Sequence, residues 1–379
     1  MNYDSKKDLK NFLQSRYGSA HLNKITPYER VNTALKHKEP DRVPFDFWAV
    51  PEIKDKMKKY LQVDRTEEIL KLLGSDCRKA APDYVGPAPI ARADGNYIDR
   101  WGTIRKKVKN RSGGVYEEYA EYPLARAETP GEIRNWKGWP VIEHWDFSDL
   151  EQKIEKINSQ TRYHIRFELG GIFELAWGLY GLQNFLTDLI NRPELPCAIM
   201  DKFTKLFMKM AQKALDNAGG KIDLMYTYDD IGMQSNLLLS PDMWEKFILP
   251  RHQKLNEVIR SHPDSPAIMY HSCGAVYPLI EKFKEKMGID ILNPLQPRAA
   301  GMDMCKIKRN FGDELSFHGA IDLQETLPRG TKSEVRSEVK SRCKVLGEKG
   351  GYICAPAHHI QSDTPVENII AMYTAAREI

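Results

Sequence analysis

Strand and helix patterns alternate along the chain and predict an α/β fold, a (β/α)8 TIM barrel. Eight short apolar runs have the composition of strands, and a helical pattern follows each of them, which indicates parallel pairing. Eight units fit a closed barrel. No GxGxxG sequence follows the first strand, so an open dinucleotide-binding sheet loses its main support. We expect one domain over 1–379, with an N-terminal helical extension over 1–38 and a β-hairpin insertion over 94–125.

The first half of the chain begins with a helix signal. Thr26 is a cap, Pro27 suits the first turn, and Glu29 can complete a capping box, so a helix is predicted over 26–37. A strand follows at 43–48, then a helical stretch over 51–73. Residues 97–104 and 115–119 flank the turn sequence Ser-Gly-Gly at 112–114 and form the predicted hairpin.

The remaining elements follow in regular order. The other predicted strands are 76–81, 163–169, 223–228, 267–270, 290–293, 315–318 and 352–355. The other predicted helices are 148–159, 181–190, 194–217, 242–261, 277–287, 303–311, 332–348 and 365–377.

Composition excludes several classes of protein. The net charge is +4 with no Lys/Arg block, so no nucleic-acid partner is expected. The polar N-terminus lacks a signal peptide, and no apolar run approaches the roughly 18 residues of a membrane span. A cytoplasmic protein without a membrane partner is therefore the expectation. Six scattered cysteines without a CxxC pair argue against a disulfide framework.

A strand, a polar turn and a helix meet at 267–277, the layout in which barrel enzymes place their chemistry. His271 and Cys273 stand two apart at the strand end and can direct an imidazole and a thiol at one metal ion, with Zn²⁺ the best match. His358 or Cys354, near the end of the last strand, can supply a third ligand. The alternative is a buried thiol beside a structural histidine.

Carboxylates follow the third and fourth strands. Asp229 and Asp230 are candidate catalytic residues that can orient a substrate, act as a base or hold a metal-bound water. Glu174 is a further catalytic candidate, and Glu168 a candidate substrate-binding residue. Both glutamates can also orient a ligating histidine. The structural alternatives are a helix cap and salt bridge for the aspartates, and ion pairs for the glutamates.

Two more polar residues follow later strands. Gln296 comes after the sixth strand and His318 is the last residue of the seventh, and both are candidate substrate-binding residues at the barrel mouth. For His318 the alternative is a hydrogen-bonded residue of the barrel interior.

Several motifs together resemble the uroporphyrinogen decarboxylase superfamily, in particular its branch of methylcobalamin:coenzyme M methyltransferases. The resemblance covers nearly the whole chain. It is carried by EPDRVP at 39–44, Ser240-Pro241 with Trp244 and Pro250, HSCG at 271–274, Gly319 with Asp322, GGYI at 350–353 and TPVEN at 364–368. The resemblance implies a (β/α)8 barrel and a zinc site at His271 and Cys273.

This chain departs from the family pattern in two places. The methyltransferase branch has a cysteine as third ligand, whereas the aligned position here is His358, so the third ligand is either His358 or Cys354. The decarboxylases carry an arginine-rich segment after the first strand and lack the His-x-Cys motif, whereas the segment 47–53 here contains no arginine.

The resemblance implies methyl transfer between a corrinoid, methylcobalamin, and a small-molecule donor or acceptor. Zinc would act as a Lewis acid and favour a thiolate nucleophile, which would take the methyl group from cobalt(III) and leave cobalt(I). In the reverse direction, zinc would polarise the heteroatom of a methyl donor and cobalt(I) would take the methyl group. No DxHxxG-type corrinoid motif is present, so a separate corrinoid protein is the expected partner. The family often forms dimers, which makes a homodimer an expectation. The alternatives are a metal-free decarboxylase that uses Asp229 or Asp230, and a non-enzymatic corrinoid or tetrapyrrole carrier.

Overall fold

A parallel sheet forms the centre of the molecule. A computed structural model describes residues 25–109, 114–376 and 378, so much of the predicted extension, residues 1–24, lies outside the described part. Within it, seven parallel strands form one curled sheet in the order β1-β8-β9-β10-β11-β12-β13. These strands are β1 Cys77–Ala80, β8 His164–Gly171, β9 Leu224–Tyr228, β10 Ala267–His271, β11 Ile291–Leu295, β12 Ser316–Ile321 and β13 Tyr352–Pro356. All seven lie where strands are predicted.

The predicted first strand, 43–48, is present only as isolated bridges. Phe45 pairs in parallel with Cys354 of β13, and a second bridge follows at Ala49. On its other side, the Phe45 carbonyl accepts a hydrogen bond from Asp76 N, next to β1, at 2.8 Å. The segment therefore lies between the two edge strands and hydrogen bonds toward both.

Side chains explain why this segment does not form a regular ladder. Pro44 has no N–H to donate. Phe45 N donates to the Asp76 carboxylate at 2.8 Å, and Phe47 N donates to the Asp46 carboxylate at 2.8 Å. Carboxylates thus occupy backbone donors that a strand would use for pairing. The prediction of a continuous strand over 43–48 is corrected to one bridge at Phe45, with a second just beyond it at Ala49.

Helices surround the sheet, and a few of them differ from prediction. Their bounds are α1 Pro27–Leu35, α2 Pro51–Leu61, α3 Thr66–Leu73, α4 Pro130–Asn135, α5 Leu150–Ile157, α6 Ile172–Tyr180, α7 Leu182–Asn191, α8 Glu194–Asp216, α9 Pro241–Phe247, α10 Leu249–Ser261, α11 Ile280–Lys282, α12 Met304–Phe311, α13 Thr326–Arg329, α14 Lys332–Gly347 and α15 Val366–Ala376. Helix α1 has the predicted capping box between Thr26 and Glu29. None of the described helices is long and apolar enough to cross a membrane.

Three helical predictions are corrected. The stretch 51–73 divides into α2 and α3 because Gln62 adopts a left-handed backbone with φ 53°. The stretch 242–261 divides into α9 and α10 near Pro250, which cannot donate a helix hydrogen bond. The stretch 277–287 has a 3₁₀ turn before α11 and a π-helical turn after it. Helix α6, next to the site, was not predicted.

The insertion at 94–125 lies in an antiparallel sheet rather than a single hairpin. Its strands are β3 Ile90–Ala91, β4 Tyr97–Ile98, β5 Ile104–Lys109 and β6 Val115–Glu121, and a separate pair joins β2 Asp83–Tyr84 to β7 Trp145–Asp146. Most of the predicted turn 112–114 lies outside the described residues. Strand β6 contacts segments that follow β13 and β8: Tyr116 donates to Gln361 at 2.9 Å, and the Tyr119 ring packs on Trp177, with 4.7 Å between centroids.

Candidate metal centre

One imidazole–thiol–imidazole cluster lies at the carboxyl ends of the strands. His271 is the last residue of β10, Cys273 lies two residues further, and His358 is in the loop after β13. One ligand atom from each lies within 4.8 Å of the others. The His271 Nε2 and the Cys273 Sγ are 3.4 Å apart. Tetrahedral zinc, with bonds of about 2.0–2.1 Å to nitrogen and 2.3 Å to sulfur, separates such atoms by roughly 3.5 Å, so the donor set fits zinc.

Cys354, the alternative third ligand, lies elsewhere. Side chains alternate between the two faces of a strand. Ile353 packs with Cys77 inside the barrel, whereas Cys354 is buried and contacts the thiol of Cys343 on α14. The His358 ring lies 5.6 Å from the His271 ring, between centroids. The structure therefore brings His358, and not Cys354, to the cluster.

Two loops hold Cys273 in place. Its backbone N–H donates to Asp230 Oδ1 at 2.9 Å, and Gly274 N donates to Gln296 Oε1 at 2.8 Å. Gly274 has φ +89°, and a Cβ there would lie 2.5 Å from the carbonyl oxygen of Met233. Only glycine fits this position without strain. Gln296, predicted to bind substrate, thus has a hydrogen-bonding role in positioning the cysteine loop.

Electrostatics favours a cation at the cluster. Burial favours neutral His271, but the negative charges of Cys273 and Asp230 outweigh it and raise the His271 pKa well above its usual value. Burial opposes ionisation of Asp230, yet the hydrogen bond from His271 and its charge lower the Asp230 pKa to about 2. Burial lowers the His358 pKa to about 4, which leaves a neutral ring with a free lone pair. A site that attracts a proton to His271 also attracts a metal ion, which would displace that proton.

Asp229 is not directed at the cluster. Its side chain is 0% exposed. Its Oδ1 accepts hydrogen bonds from Phe173 N and Glu174 N, at 2.8 and 3.0 Å, in the first turn of α6. Its Oδ2 lies 2.7 Å from His252 Nε2. Both oxygens are occupied by protein groups, so the helix-cap and salt-bridge interpretation describes Asp229, whereas the neighbouring Asp230 is 47% exposed.

His318 and Glu168 are also held by protein partners. The buried His318 uses both ring nitrogens, with Asn293 Nδ2 at 2.6 Å and Asp46 Oδ2 at 3.2 Å, as the hydrogen-bonded alternative predicts. Glu168 forms ion pairs with Arg166, at 3.1 Å, and with Lys79. Within the described part of the chain, no hydrogen bond joins Glu168 or Glu174 to a histidine of the cluster.

Sequence reasoning missed the residue that contacts His271 most closely. Asn293 Oδ1 lies 2.5 Å from His271 Nδ1, and both side chains are buried. It also missed Asp46, which is buried beside Arg166 at 2.5 Å and Trp48 Nε1 at 2.6 Å. The available signal was polarity at strand positions, since Asp46 interrupts an apolar run and Asn293 ends one.

A cavity of about 350 Å³ has His359 in its lining and includes no residue of the cluster. His359 connects the two, because its ring lies 5.2 Å from His358 and 5.3 Å from Trp48, between centroids. The cavity is lined by Asp46, Trp48, Lys54, Lys79, Arg166 and Glu168, among others. A larger surface groove, about 750 Å³, lies along α13 and α14 and includes no cluster residue.

Glu174 has an unusual charge state. Burial raises its pKa to about 7, and the Asp230 and Asp229 carboxylates add to the shift. The unfolded value is about 4.3, so the folded form binds its proton more tightly than the unfolded chain does. Its favourable contribution to stability is therefore complete below about pH 4 and decreases as the pH rises to about 7.

Glu174→Gln should remove this dependence of stability on pH. In chelator-treated protein, we expect the variant to gain free energy of unfolding over the parent protein at pH 8 and much less at pH 5, measured by urea unfolding. Glu257→Gln, at an exposed site on α10, is the control. An equal difference in the free energy of unfolding between variant and parent protein at both pH values would contradict the raised pKa of Glu174.

Comparisons with known proteins support the family. The family model described as Uroporphyrinogen decarboxylase (URO-D) matches residues 158–379. Uroporphyrinogen decarboxylase of Trichodesmium erythraeum is 29% identical over 143 residues, 37% of each chain. Methylcobamide:CoM methyltransferase MtaA of Methanosarcina barkeri is 26% identical over 210 residues, 55% of this chain and 56% of that protein. The matched segments thus span about a third to about half of these relatives.

A solved structure supports the same fold. A methyltransferase from Methanosarcina mazei superposes with a TM-score of 0.62 at 21% identity, over 94% of this chain and 99% of the other. The family model covers more than half of the chain, including β8 to β13 and all three cluster residues. The chain therefore belongs to the uroporphyrinogen decarboxylase family.

Proposed function

We propose that this protein is a zinc-dependent methyltransferase that moves a methyl group between a corrinoid carried by a partner protein and a small molecule. The observation that carries the proposal is the cluster of His271, Cys273 and His358 at the carboxyl ends of the strands. This end of a parallel barrel is where catalytic groups are found. The similarity to a methylcobamide-dependent methyltransferase supports the reaction class.

His271, Cys273 and His358 would hold the zinc, with one position left for a substrate. Bound zinc would supply Lewis acidity that favours the thiolate form of a thiol substrate near neutral pH. Asp230 keeps the cysteine loop in place through Cys273 N and lies 3.4 Å from His271 Nε2. It would therefore orient the ligands.

The small molecule would occupy the cavity beside His359, where its charges favour an anion. Asp46 and Glu168 are matched there by Arg166 and Lys79. Lys54 also lines the cavity, and within the described residues its amine forms no ion pair. Burial and the nearby Lys79 lower the Lys54 pKa, as expected for a cation that lacks a paired anion. A carboxylate or sulfonate on the substrate would supply that anion.

Lys54→Met should therefore raise KM for an anionic thiol by about 10-fold, with a much smaller change in kcat, because it removes binding that is equal in the ground and transition states. Lys59→Met, at an exposed position on the same helix, is the matched control. The two variants would be compared by steady-state kinetics with charged and uncharged thiols. An equal increase in KM for an uncharged thiol would contradict the anion site.

The corrinoid would approach over the mouth of the barrel. We propose that segment 43–48 closes the seven-stranded sheet into an eight-membered (β/α)8 ring, since it hydrogen bonds toward both edges. The antiparallel insertion contacts Gln361 and Trp177 at that end and would shape the entrance. The corrinoid protein, and a homodimer of this chain, stay predictions.

The direct test is methyl transfer from free methylcobalamin. Zinc-loaded protein would be incubated without oxygen with methylcobalamin and a set of thiols that differ in charge, and cob(I)alamin and methylated thiol would be measured together. Formation of both in equal amounts supports the proposal. Absence of transfer to every thiol, and of the reverse transfer from methylated thiols, would overturn it.

A second candidate is a metal-free decarboxylase, favoured by the similarity to uroporphyrinogen decarboxylases over 143 residues. In this structure only Asp230 of the two aspartates is exposed enough to meet a substrate. This candidate predicts release of carbon dioxide from a carboxylated substrate after zinc has been removed by a chelator.

A further inference from the structure

A chain of buried hydrogen bonds runs from the metal cluster across the barrel interior. It begins at His271 Nδ1, which lies 2.5 Å from Asn293 Oδ1. Asn293 Nδ2 is 2.6 Å from His318 Nδ1, and His318 Nε2 is 3.2 Å from Asp46 Oδ2. The chain therefore connects β10, β11, β12 and the segment 43–48. Each link joins groups whose donor and acceptor roles depend on the next link.

Asp46 fixes which group donates in each of these hydrogen bonds. The carboxylate is buried and lies 2.5 Å from Arg166 and 2.6 Å from Trp48 Nε1. Burial opposes its ionisation, but Arg166 and the hydrogen bonds outweigh burial and hold the Asp46 pKa well below its usual value. An ionised carboxylate can only accept hydrogen bonds. His318 must therefore donate from Nε2.

The remaining roles follow one after another. Burial lowers the His318 pKa, so the ring is neutral and carries a lone pair on Nδ1. That lone pair accepts a hydrogen bond from the Asn293 amide nitrogen. The Asn293 amide oxygen then faces His271 and requires a proton on His271 Nδ1. In the neutral ring, the lone pair of His271 is left on Nε2, the atom that faces Cys273.

We propose that Asn293 is a positioning residue that, oriented by Asp46 through His318, keeps the proton of His271 on Nδ1 and presents Nε2 to the metal. This inference rests on the proposed zinc site and adds how the buried hydrogen bonds select the nitrogen of His271 that binds the metal. With the amide reversed, its N–H would face Nδ1 and move the proton to Nε2. The proton would then occupy the direction of the metal.

Two substitutions separate this role from simple packing. Asn293→Leu has a similar volume and removes both hydrogen bonds. We expect it to weaken zinc binding by about 10–100-fold, the usual effect of losing an outer partner of a ligating histidine. Asn293→Asp retains an acceptor for His271 Nδ1, so its affinity should stay within about 5-fold of the parent protein, well inside the loss expected for the leucine variant.

The matched control is Asn256→Leu. Asn256 is also a buried asparagine, but it donates to Met287 O on the outer layer, away from the cluster. This variant should leave zinc affinity unchanged even where it lowers stability. Zinc dissociation constants would be measured by competition with a chromophoric chelator.

A second measurement does not depend on affinity or activity. Nitrogen-15 spectra of the zinc-loaded parent protein should show the proton of His271 on Nδ1 and the metal on Nε2. Ligation through Nδ1, or equal zinc affinity of Asn293→Leu and the parent protein, would overturn the inference. Failure of the parent protein to bind zinc would overturn the proposed function instead, so the two failures are distinguishable.

Discussion

Purified protein is expected to contain about one zinc per chain, and Cys273→Ala is expected to lose it together with methyl transfer. Cys273 supplies the one sulfur of the cluster, 3.4 Å from His271 Nε2. Loss of a ligand should exceed the 10–100-fold effect of losing an outer partner, so zinc affinity should decrease by at least about 100-fold. Elemental analysis and methyl transfer from methylcobalamin measure the two effects.

Other cysteines provide controls for this result. Cys305→Ala alters an exposed thiol and should change neither zinc content nor activity. Cys354→Ala tests the alternative ligand, and its zinc content should also be unchanged because its side chain faces α14. Zinc retained in Cys273→Ala and lost in Cys354→Ala would contradict the assignment of the cluster.

Asp229→Ala should lower the free energy of unfolding by about 3–5 kcal/mol, because each buried group left without its hydrogen-bond partner costs about 1–3 kcal/mol. The carboxylate is fully buried and accepts the backbone N–H groups of Phe173 and Glu174. Its loss leaves these donors and His252 without a partner. Chemical unfolding monitored by circular dichroism measures the effect.

The neighbouring Asp230→Ala is the matched comparison. Because Asp230 is 47% exposed, its removal should change stability by less than about 1 kcal/mol, whereas zinc affinity should decrease by about 10–100-fold. The pair also distinguishes the two candidate functions. Loss of carbon dioxide release from a carboxylated substrate in a stable, zinc-free Asp230 variant would favour the decarboxylase.

The sequence pattern located most of the fold but missed its interruptions. Apolar periodicity placed all seven strands of the parallel sheet, because strands buried on both faces are apolar runs bounded by polar turns. It treated 43–48 as one strand, since the hydrogen bond from Phe45 N to Asp76 is not visible in periodicity. The pattern predicted one helix in place of α2 and α3, because a glutamine at position 62 gives no sign of the left-handed backbone that separates them.

The sequence by itself determined the parallel α/β class and the His271–Cys273 pair, because side chains two apart at a strand end need no distant contact to meet. Only tertiary structure shows that His358, and not Cys354, lies beside this pair, since strand alternation turns Cys354 toward α14 while the following loop brings His358 to the cluster. It alone assigned Asp229 to capping α6 and joined Asp46 to His318, 272 residues away. A buried polar residue needs a hydrogen-bond partner, but that partner comes from a distant segment, so the residue type alone does not identify it.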